Sequence, residues 1–271
     1  MIFVRDKGRL CNNILQYGHV YAWAREHGLQ TVSMRFSYKY QWFHICHTRY
    51  HHWITYLLAK FAAAMGLIPI VSFNAESADY SKEERQMLEH RFILAEGWYA
   101  RWYDLFLKYK SEIIKLFAFD ANVKTAPNQL LNSVPQGTII LGLHVRRGDY
   151  RTFKDGRFFY SDEQYIRQIR HFLTLHQQQP VHIFICGNDP TLNEETFRKA
   201  LPEVPMTFAK GNPAEDLYLL SQCHWLMGPP STFTLVASMY HDVPLYWIAD
   251  ADKAFTTNDF RHFDELFRNI I

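Results

Sequence analysis

The stretch that decides the fold is IILGLHV, residues 139 to 145, which is apolar apart from His144 and ends abruptly in RRGDY, residues 146 to 150. A continuous apolar run of this length predicts a strand that is buried on both faces. Four further apolar runs follow, separated by helical segments: Val181 to Cys186, Met206 to Phe208, Trp225 to Met227 and Leu245 to Ile248. This alternation predicts an α/β fold with a doubly wound parallel sheet and helices on both faces.

Helix starts are marked in the same half of the chain. An N-capping residue followed three positions later by Glu or Gln is a capping-box pattern. It occurs three times, at Ser161 with Gln164, Thr191 with Glu194, and Asn212 with Glu215.

The first half begins as a βαβ unit. Ile2 to Val4 predicts a strand, a helix follows until Gly28, and Thr31 to Met34 predicts the next strand. The loop GRLCNN, residues 8 to 13, follows the first strand at its carboxyl end, where open α/β sheets bind ligands. Residues 36 to 132 are aromatic and mostly helical in pattern, with little strand signal apart from Ile68 to Phe73.

The length of 271 residues fits two domains. The segment from Thr125 to Gln136 contains two prolines and several turn formers, so the predicted boundary separates residues 1–130 from residues 131–271. The second domain is the expected Rossmann-like ligand-binding domain.

Composition excludes several classes of protein. An apolar content of 48% excludes a disordered chain, and a formal net charge of +2 gives no bulk field for nucleic acid. The four cysteines form no CxxC pair and the N-terminus lacks the pattern of a signal peptide, which indicates a reducing compartment, the cytoplasm. The longest apolar stretch, Leu57 to Val71, is shorter than a membrane span, so we expect a soluble protein or one peripheral at the inner membrane face.

The sharpest chemical signal is the group His144, Arg146, Arg147 and Asp149 at the end of a buried strand. Since consecutive strand residues point to opposite faces, one arginine is predicted to face a cleft while the other pairs with Asp149 or with backbone. A guanidinium holds two phosphate oxygens at once, so the cleft-facing arginine is predicted to bind a diphosphate. The alternative is a surface ion-pair cluster.

A second group lies in GPPSTFT, residues 228 to 234, between a predicted strand and the next helix. The hydroxyls of Ser231 and Thr232, with backbone N–H groups, would form an anion site, although simple helix capping is the alternative. In the preceding helix, Glu215 and Asp216 either favour the helix dipole or contact a ribose or base.

Three segments in the same order and spacing resemble the alpha-1,2-fucosyltransferases of glycosyltransferase family 11: GRLCNNILQYGHVYAWA, HVRRGDY, and EDLYLLSQC followed by STFT. The resemblance leaves residues 36 to 135 uncovered. Cys11 and Asn13 depart from the family loop, as do Leu235 and Val236 after STFT.

The resemblance implies a GT-B fold of two Rossmann-type domains and an inverting, metal-independent transfer of fucose from GDP-fucose, with no further cofactor. It implies that Arg146 or Arg147 holds the pyrophosphate, with His144 and Asp149 shaping the loop. It also implies that a second set of residues contacts the donor: Ser231, Thr232, Phe233, Arg9 and Asn12.

Leaving-group charge grows as the sugar departs, and fixed arginines stabilise it as a metal would. The acceptor hydroxyl must also lose a proton, for which Asp149 is the first candidate base and Asp162 the second. Proton transfer to the departing phosphate would need neither carboxylate.

Two features suggest metal sites, and we expect neither to hold one. Asp250 and Asp252 in VPLYWIADAD resemble a DxD motif but lie too close to residue 271. Residues 44 to 52 contain four histidines and a cysteine without tetrahedral spacing. The aromatic stretch from 38 to 53 is instead predicted to form an acceptor surface or to meet a lipid-linked sugar at a membrane face.

The function predicted is that of a bacterial-type fucosyltransferase of polysaccharide biosynthesis, acting on a hydroxyl of an oligosaccharide or lipid-linked glycan, with galactose O2 as the expected position. The sequence leaves open the oligomeric state and two rival functions. One is a non-catalytic nucleotide-sugar-binding protein, and the other is a GT-B transferase that uses a different nucleotide sugar.

Overall fold

The computed structural model describes residues 1–77, 79–187 and 189–269, and the chain divides into two compact units, Met1–Asp120 and Ala121–Ile271. Each unit contains one sheet of parallel strands with helices between the strands. The α/β class predicted from the sequence is confirmed.

The first unit has a four-stranded sheet in the order β2-β1-β4-β3. Its strands are β1 (Ile2–Arg5), β2 (Thr31–Ser33), β3 (Ile70–Ser72) and β4 (Ile93–Glu96). Its helices are α1 (Leu10–Glu26), α2 (Trp53–Ala64), α3 (Ser81–Glu89), α4 (Tyr103–Lys108) and α5 (Lys110–Leu116), with a 3-10 turn at His44–His47.

Strand β4 corrects the sequence prediction, which gave no strand between residues 74 and 132. β4 pairs with β1 on one side and β3 on the other, so it is central to the sheet. In its sequence ILAE, Leu94, Ala95 and Glu96 are residue types that favour helices, and apolar and polar residues do not alternate. Burial on both faces removed the pattern by which a short strand is recognised.

The second unit begins with α6 (Ala121–Asn132) and has a five-stranded sheet in the order β7-β6-β5-β8-β9. Its strands are β5 (Ile139–His144), β6 (Val181–Cys186), β7 (Met206–Phe208), β8 (Trp225–Gly228) and β9 (Leu245–Trp247). Its other helices are α7 (Asp162–Leu175), α8 (Glu194–Ala200), α9 (Pro213–Ser221), α10 (Thr232–His241) and α11 (Phe263–Leu266), with 3-10 turns at Gly148–Arg151, Phe153–Gly156, Thr257–Asp259 and Phe267–Asn269. All five predicted strands are present.

The boundary between the units lies ten residues earlier than the sequence placed it. The predicted division between residues 130 and 131 falls inside α6, which continues through the buried Pro127. A proline removes only one helical hydrogen bond, and packing of α6 against α9 outweighs that loss.

Both faces of the second sheet are covered, as predicted. On one face Leu141 and Leu143 belong to the same core cluster as Ile169 and Phe172 of α7. On the other face Gly142 lies so close to α9 that a Cβ there would be 2.7 Å from the side chain of Leu220. Burial of β5 on both sides leaves its carboxyl end as the place where it can meet a ligand.

Two of the three predicted helix caps are confirmed. Ser161 with Gln164 and Asn212 with Glu215 form reciprocal capping boxes at α7 and α9. The prediction at Thr191 is wrong, because the side chain of Asn193 accepts hydrogen bonds from the first turn of α8. Asn193 directly precedes the helix, so its side-chain amide oxygen reaches N–H groups of the first turn that the side chain of Thr191 cannot reach.

We predict that Gly97→Ala destabilises the first unit by about 3 kcal/mol or more, because Gly97 has φ +111° and a Cβ there would lie 2.2 Å from the carbonyl oxygen of Phe73. The control is Gly28→Ala, where φ is +67° and no atom lies within 4 Å of the added Cβ, so only the left-handed backbone costs about 1–2 kcal/mol. Urea unfolding measures both. Equal losses would show that the contact with Phe73 is relieved without cost.

Candidate nucleotide-binding site

The strand order of the second sheet reverses between β5 and β8. From β5 the chain proceeds to β6 and β7 on one side, and then returns to β8 and β9 on the other. Helices diverge at such a switch point and leave a crevice at the carboxyl ends of the strands. His144 ends β5 and Phe233 follows β8, and their rings stack with centroids 4.8 Å apart. Two residues predicted to bind the donor therefore meet at this point.

Glycines let the neighbouring strands approach this end of β5. A Cβ on Gly228 would lie 2.9 Å from the carbonyl oxygen of His144, and one on Gly187 would lie 2.7 Å from that of Val145. Any side chain at either position would push the strand ends apart. The sequence carries a signal for both, since each glycine directly follows an apolar run that predicts a strand.

His144 is a neutral ring in this site. Burial, with a smaller effect from the charge of Arg146, lowers the pKa of His144 to about 3. Its Nδ1 atom is buried and has no hydrogen-bond partner within residues 1–77, 79–187 and 189–269. A buried polar atom without a partner costs free energy, so this nitrogen is suited to pair with a ligand.

Arg147 is buried and engaged by its surroundings. Its Nε donates to the carbonyl oxygen of Tyr160 at 2.9 Å, and its Nη1 donates to Thr191. Its Nη2 is ion-paired with Asp162, whose other oxygen accepts the backbone N–H of Asn193 at 3.3 Å. Arg147 and Asp162 thus tie the loop after β5 to the start of α7 and the segment before α8.

Arg146 has a different environment. Its Nε and Nη2 donate to the two carboxylate oxygens of Asp149 at 3.1 and 2.9 Å, and its guanidinium lies 5.0 Å from the ring centroid of Tyr150. This bidentate pair is more open to solvent than that of Arg147. The described part of the chain gives Nη1 of Arg146 no partner, so that edge of the fork can accept an anion. Arg146 thus makes the pair with Asp149, and Arg147 the backbone contact, that the sequence analysis offered as alternatives for a single arginine. Which of the two faces a phosphate stays a prediction.

Ser231 caps α10 and accepts the backbone N–H of Phe233 at 3.1 Å, while Thr232 is the first residue of the helix. The hydroxyl of Tyr150 donates to the carbonyl oxygen of Pro230 at 2.5 Å, so the loop after β5 is fastened to the loop after β8. Ser231 therefore has the capping role that was the alternative to an anion site, and the positive end of the α10 dipole favours an anion nearby.

Asp216 lies in a pocket of about 350 Å³ within the second unit. Burial and, secondarily, the charge of Glu215 raise the pKa of Asp216 to about 7. Its Oδ1 atom is buried and without a partner in the described ranges. The pocket is lined by α6, the end of β7 and the start of α9, through Ala126, Pro127, Gln129, Leu130, Phe208, Ala209, Lys210, Gly211, Glu215, Asp216 and Leu219.

In the first unit, Arg9 is exposed at the start of α1 and Asn12 is half-buried in its first turn. A Cβ on Gly8, which has φ +87°, would lie 2.6 Å from Nδ2 of Asn12. Asn13 donates to the carbonyl oxygen of Arg9 at 2.9 Å, and Gln16 exchanges hydrogen bonds with the backbone of Lys7. These bonds fix the shape of GRLCNN at the carboxyl end of β1, but the segment is a loop only at Gly8 and Arg9, because α1 begins at Leu10.

A buried carboxylate in this unit escaped the sequence analysis. Burial raises the pKa of Asp6 to about 7, and its Oδ2 accepts a hydrogen bond from the hydroxyl of Ser33. Asp189, which accepts the backbone N–H of Gly148 at 2.8 Å, was also missed. Asp6 directly follows β1, and Asp189 follows β6 after two residues. Polar residues at the ends of predicted strands are therefore the signal that identifies both.

Within the described residues no group of three or more His, Cys, Asp or Glu side chains is arranged to hold a metal ion. Asp252 is ion-paired with Arg167, and His47 pairs with Asp120 at 2.8 Å. His51 is buried, where it accepts the backbone N–H of Ser33 at 3.0 Å. The histidine-rich stretch and the DxD-like motif thus have structural partners.

These features define a protein of two α/β units, each built on a parallel sheet, and the second sheet has a topological switch point of the kind at which α/β proteins bind nucleotides. No protein-family model matches the chain. In sequence it is 25% identical over 171 residues to galactoside alpha-(1,2)-fucosyltransferase 2 of Gorilla gorilla gorilla, covering 59% of this chain and 48% of that protein. It is 21% identical over 252 residues to galactoside 2-alpha-L-fucosyltransferase SEC1 of Bos taurus, covering 87% and 63%. The chain spans about half the length of most curated relatives it matches.

Solved structures of fucosyltransferases share the fold. POFUT1 in complex with GDP-fucose matches with a TM-score of 0.61 and 10% identity, covering 89% of this chain and 94% of that chain. FUT1 of Arabidopsis thaliana in complex with GDP gives 0.59 and 12%, covering 96% and 73%. NodZ from Bradyrhizobium gives 0.56 and 13%, covering 91% and 94%. The chain is thus related in sequence to alpha-1,2-fucosyltransferases and has the GT-B fold of fucosyltransferases, as the three motifs indicated.

We predict that Arg147→Ala lowers the free energy of unfolding by about 3–5 kcal/mol, because it leaves the carboxylate of Asp162 buried without its cation. Arg146→Ala should cost less than about 1 kcal/mol, since its pair with Asp149 is more exposed. Denaturant unfolding of both variants is the measurement. A larger loss for Arg146→Ala would contradict the structural role given to Arg147.

Proposed function

We propose that the protein is an inverting, metal-independent glycosyltransferase that moves fucose from GDP-fucose to a hydroxyl of a glycan acceptor. The observation that carries the proposal is the meeting of His144 and Phe233, both from motifs that resemble alpha-1,2-fucosyltransferases, at the switch point of the second sheet. Structural neighbours with this fold were solved with GDP or GDP-fucose bound.

The diphosphate would be held by Arg146, His144 and the start of α10. Arg146 offers its Nη1 edge, and neutral His144 offers Nδ1, which has no protein partner in the described chain. The positive end of the α10 dipole, where Ser231 caps the helix, further favours an anion. Arg147 acts indirectly, because its pair with Asp162 fixes the loop that carries Arg146.

The base of the nucleotide would enter the pocket of Asp216. An ionised carboxylate accepts two parallel N–H bonds, which is the pattern that guanine presents at N1 and its exocyclic amine. The unpartnered Oδ1 of Asp216 supports this assignment. Uracil and cytosine lack that donor pair, so the pocket favours a guanine nucleotide.

The chemistry follows from where charge develops. As the bond between fucose and the diphosphate breaks, negative charge grows on the leaving phosphate, and a fixed guanidinium stabilises it without a metal. In an inverting transfer the acceptor hydroxyl attacks the face of fucose opposite the departing phosphate, so its proton passes to a base on that face. Asp149, whose pair with Arg146 is open to solvent, is the first candidate base, and Asp162, which is buried against Arg147, is the less suited one. The roles of Arg9 and Asn12 toward the transferred sugar stay predictions.

The acceptor we propose is an oligosaccharide or a lipid-linked glycan with a terminal galactose that is modified at O2. The printed names of the sequence relatives, all galactoside fucosyltransferases, support this choice.

The test is incubation of the protein with GDP-fucose and galactose-terminated oligosaccharides in the presence of EDTA, followed by mass and linkage analysis. We expect a fucosylated product, and we expect Arg146→Ala to lower its rate at least about a hundredfold. Arg167→Ala is the matched control, because Arg167 pairs with Asp252 on the surface and should leave the rate unchanged.

Stabilisation by ligands separates the rival functions. GDP at 100 times its dissociation constant should add about 2.7 kcal/mol to the free energy of unfolding, and UDP should add none. Stabilisation by UDP alone would overturn the choice of donor. Binding of GDP-fucose without transfer or hydrolysis would identify a non-catalytic binding protein instead.

We predict that GDP binds more weakly as the pH falls through 7. GDP would select the ionised form of Asp216, whose pKa of about 7 without ligand means that about a tenth of the carboxyl is ionised at pH 6 and about nine-tenths at pH 8. The dissociation constant should therefore rise about tenfold from pH 8 to pH 6. Calorimetric titration measures it. Asp216→Asn is the control, which should bind GDP weakly at both pH values, and an equal pH dependence in this variant would exclude Asp216 as the titrating group.

A further inference from the structure

Helix α2 is oriented with its large apolar side chains outward. Ala59 and Ala63 are its buried residues, and they pack in a small cluster with Met34 and Leu94. The opposite side carries six large apolar residues, five in the helix and one directly after it, that are 46% to 65% exposed: Trp53, Ile54, Leu57, Leu58, Phe61 and Met65. We call these six residues the α2 patch. A continuous exposed apolar surface of this kind marks an interaction site.

The α2 patch forms one stripe. At 100° per residue its members span about 140° of the helix, and Lys60 lies at one edge of that arc. The helix has 12 residues, about 18 Å, which is too short to cross a bilayer. No helix of the described chain has the length and hydropathy needed to cross one.

A row of aromatic and cationic side chains borders the patch on the side of Lys60. The ammonium of Lys60 lies 5.7 Å from the ring centroid of Tyr56, and the Tyr56 ring lies 4.3 Å from that of Tyr38. Arg35 donates to the hydroxyl of Tyr38 at 2.8 Å. Tyrosine with lysine or arginine is the combination found at the headgroup level of membranes, and tryptophan, here Trp53, shares this preference.

The charge of this region indicates what kind of partner binds the α2 patch. Residues 27 to 75 contain no Asp or Glu, while Arg35, Lys39, Arg49 and Lys60 are cationic. In a symmetric dimer the patch would pack against its own copy, and residues 27 to 75 supply no carboxylate to pair with these cations. A bilayer surface that carries anionic phosphates satisfies both the apolar stripe and its cationic border.

We propose that α2 docks the protein on the surface of a membrane that contains anionic phospholipids, with the α2 patch inserted among the upper acyl chains. Arg35 and Lys60 then lie at the level of the phosphates. This inference rests on the first unit alone and does not depend on the proposed transferase activity.

The test is flotation of the intact protein with vesicles of equal parts phosphatidylglycerol and phosphatidylcholine, compared with pure phosphatidylcholine. We expect the protein to float with the anionic vesicles, and to do so less in high salt. Leu58→Glu and Phe61→Glu should each weaken binding at least tenfold without loss of thermal stability, because both side chains point away from the core. Lys60→Glu should weaken binding to anionic vesicles alone.

The matched control is Leu88→Glu, which changes a leucine of similar exposure, 52%, on α3 beside Glu84 and Glu89. It should bind vesicles as the unchanged protein does. Equal binding by the Leu58→Glu and Phe61→Glu variants, or no binding by the unchanged protein, would overturn the proposal. A dimer in solution that Leu58→Glu dissociates, with no vesicle binding, would assign the patch to a second copy of the chain and would equally overturn it.

Discussion

The burial of Arg147 against Asp162 is the constraint on which the rest of the candidate site depends. A buried guanidinium is costly unless its donors are satisfied, and here Tyr160 and Thr191 accept from it in addition to Asp162. Since Arg147 is held inward, its neighbour Arg146 is directed elsewhere and its pair with Asp149 remains near solvent. Two adjacent arginines thus differ in environment: Arg147 fixes the loop from a buried position, and Arg146, whose pair is near solvent, is the one we propose for a ligand.

Much of the second unit was predictable because its strands are buried on both faces and its helices begin with strong caps. IILGLHV needed no context to be recognised as a strand, and neither did VHIFIC. The prediction failed where tertiary packing decided the outcome. ILAE became the central strand β4 only because β1 and β3 flank it, and α6 continues through Pro127 because it packs on α9. Such information is absent from local sequence patterns.

The sequence identified residues of the candidate site but not which contacts each of them makes. The sequence placed His144, Arg146 and Ser231 at strand ends, which the topology brings together at one switch point. It could not tell which arginine is buried, since that depends on Thr191 and Asp162, which are distant in sequence. Nor could it place Asp216 in a pocket whose wall includes α6. The outward orientation of α2 was equally hidden, because apolar residues at helical spacing are normally read as the buried face.

The charges of the candidate site bear on how it would select the diphosphate that we propose as its ligand without a strong positive field. Arg147 is neutralised by Asp162, Arg146 is paired with Asp149, and His144 is kept uncharged by burial, so the loop has little net charge. Attraction at long range is therefore weak, and recognition must come from donors at fixed positions. A ligand that presents oxygens to the Nη1 edge of Arg146 and to Nδ1 of His144 satisfies groups that the protein alone leaves unsatisfied. The free energy of binding then arises mostly from contacts that a diphosphate makes and that water or a monovalent anion makes only in part.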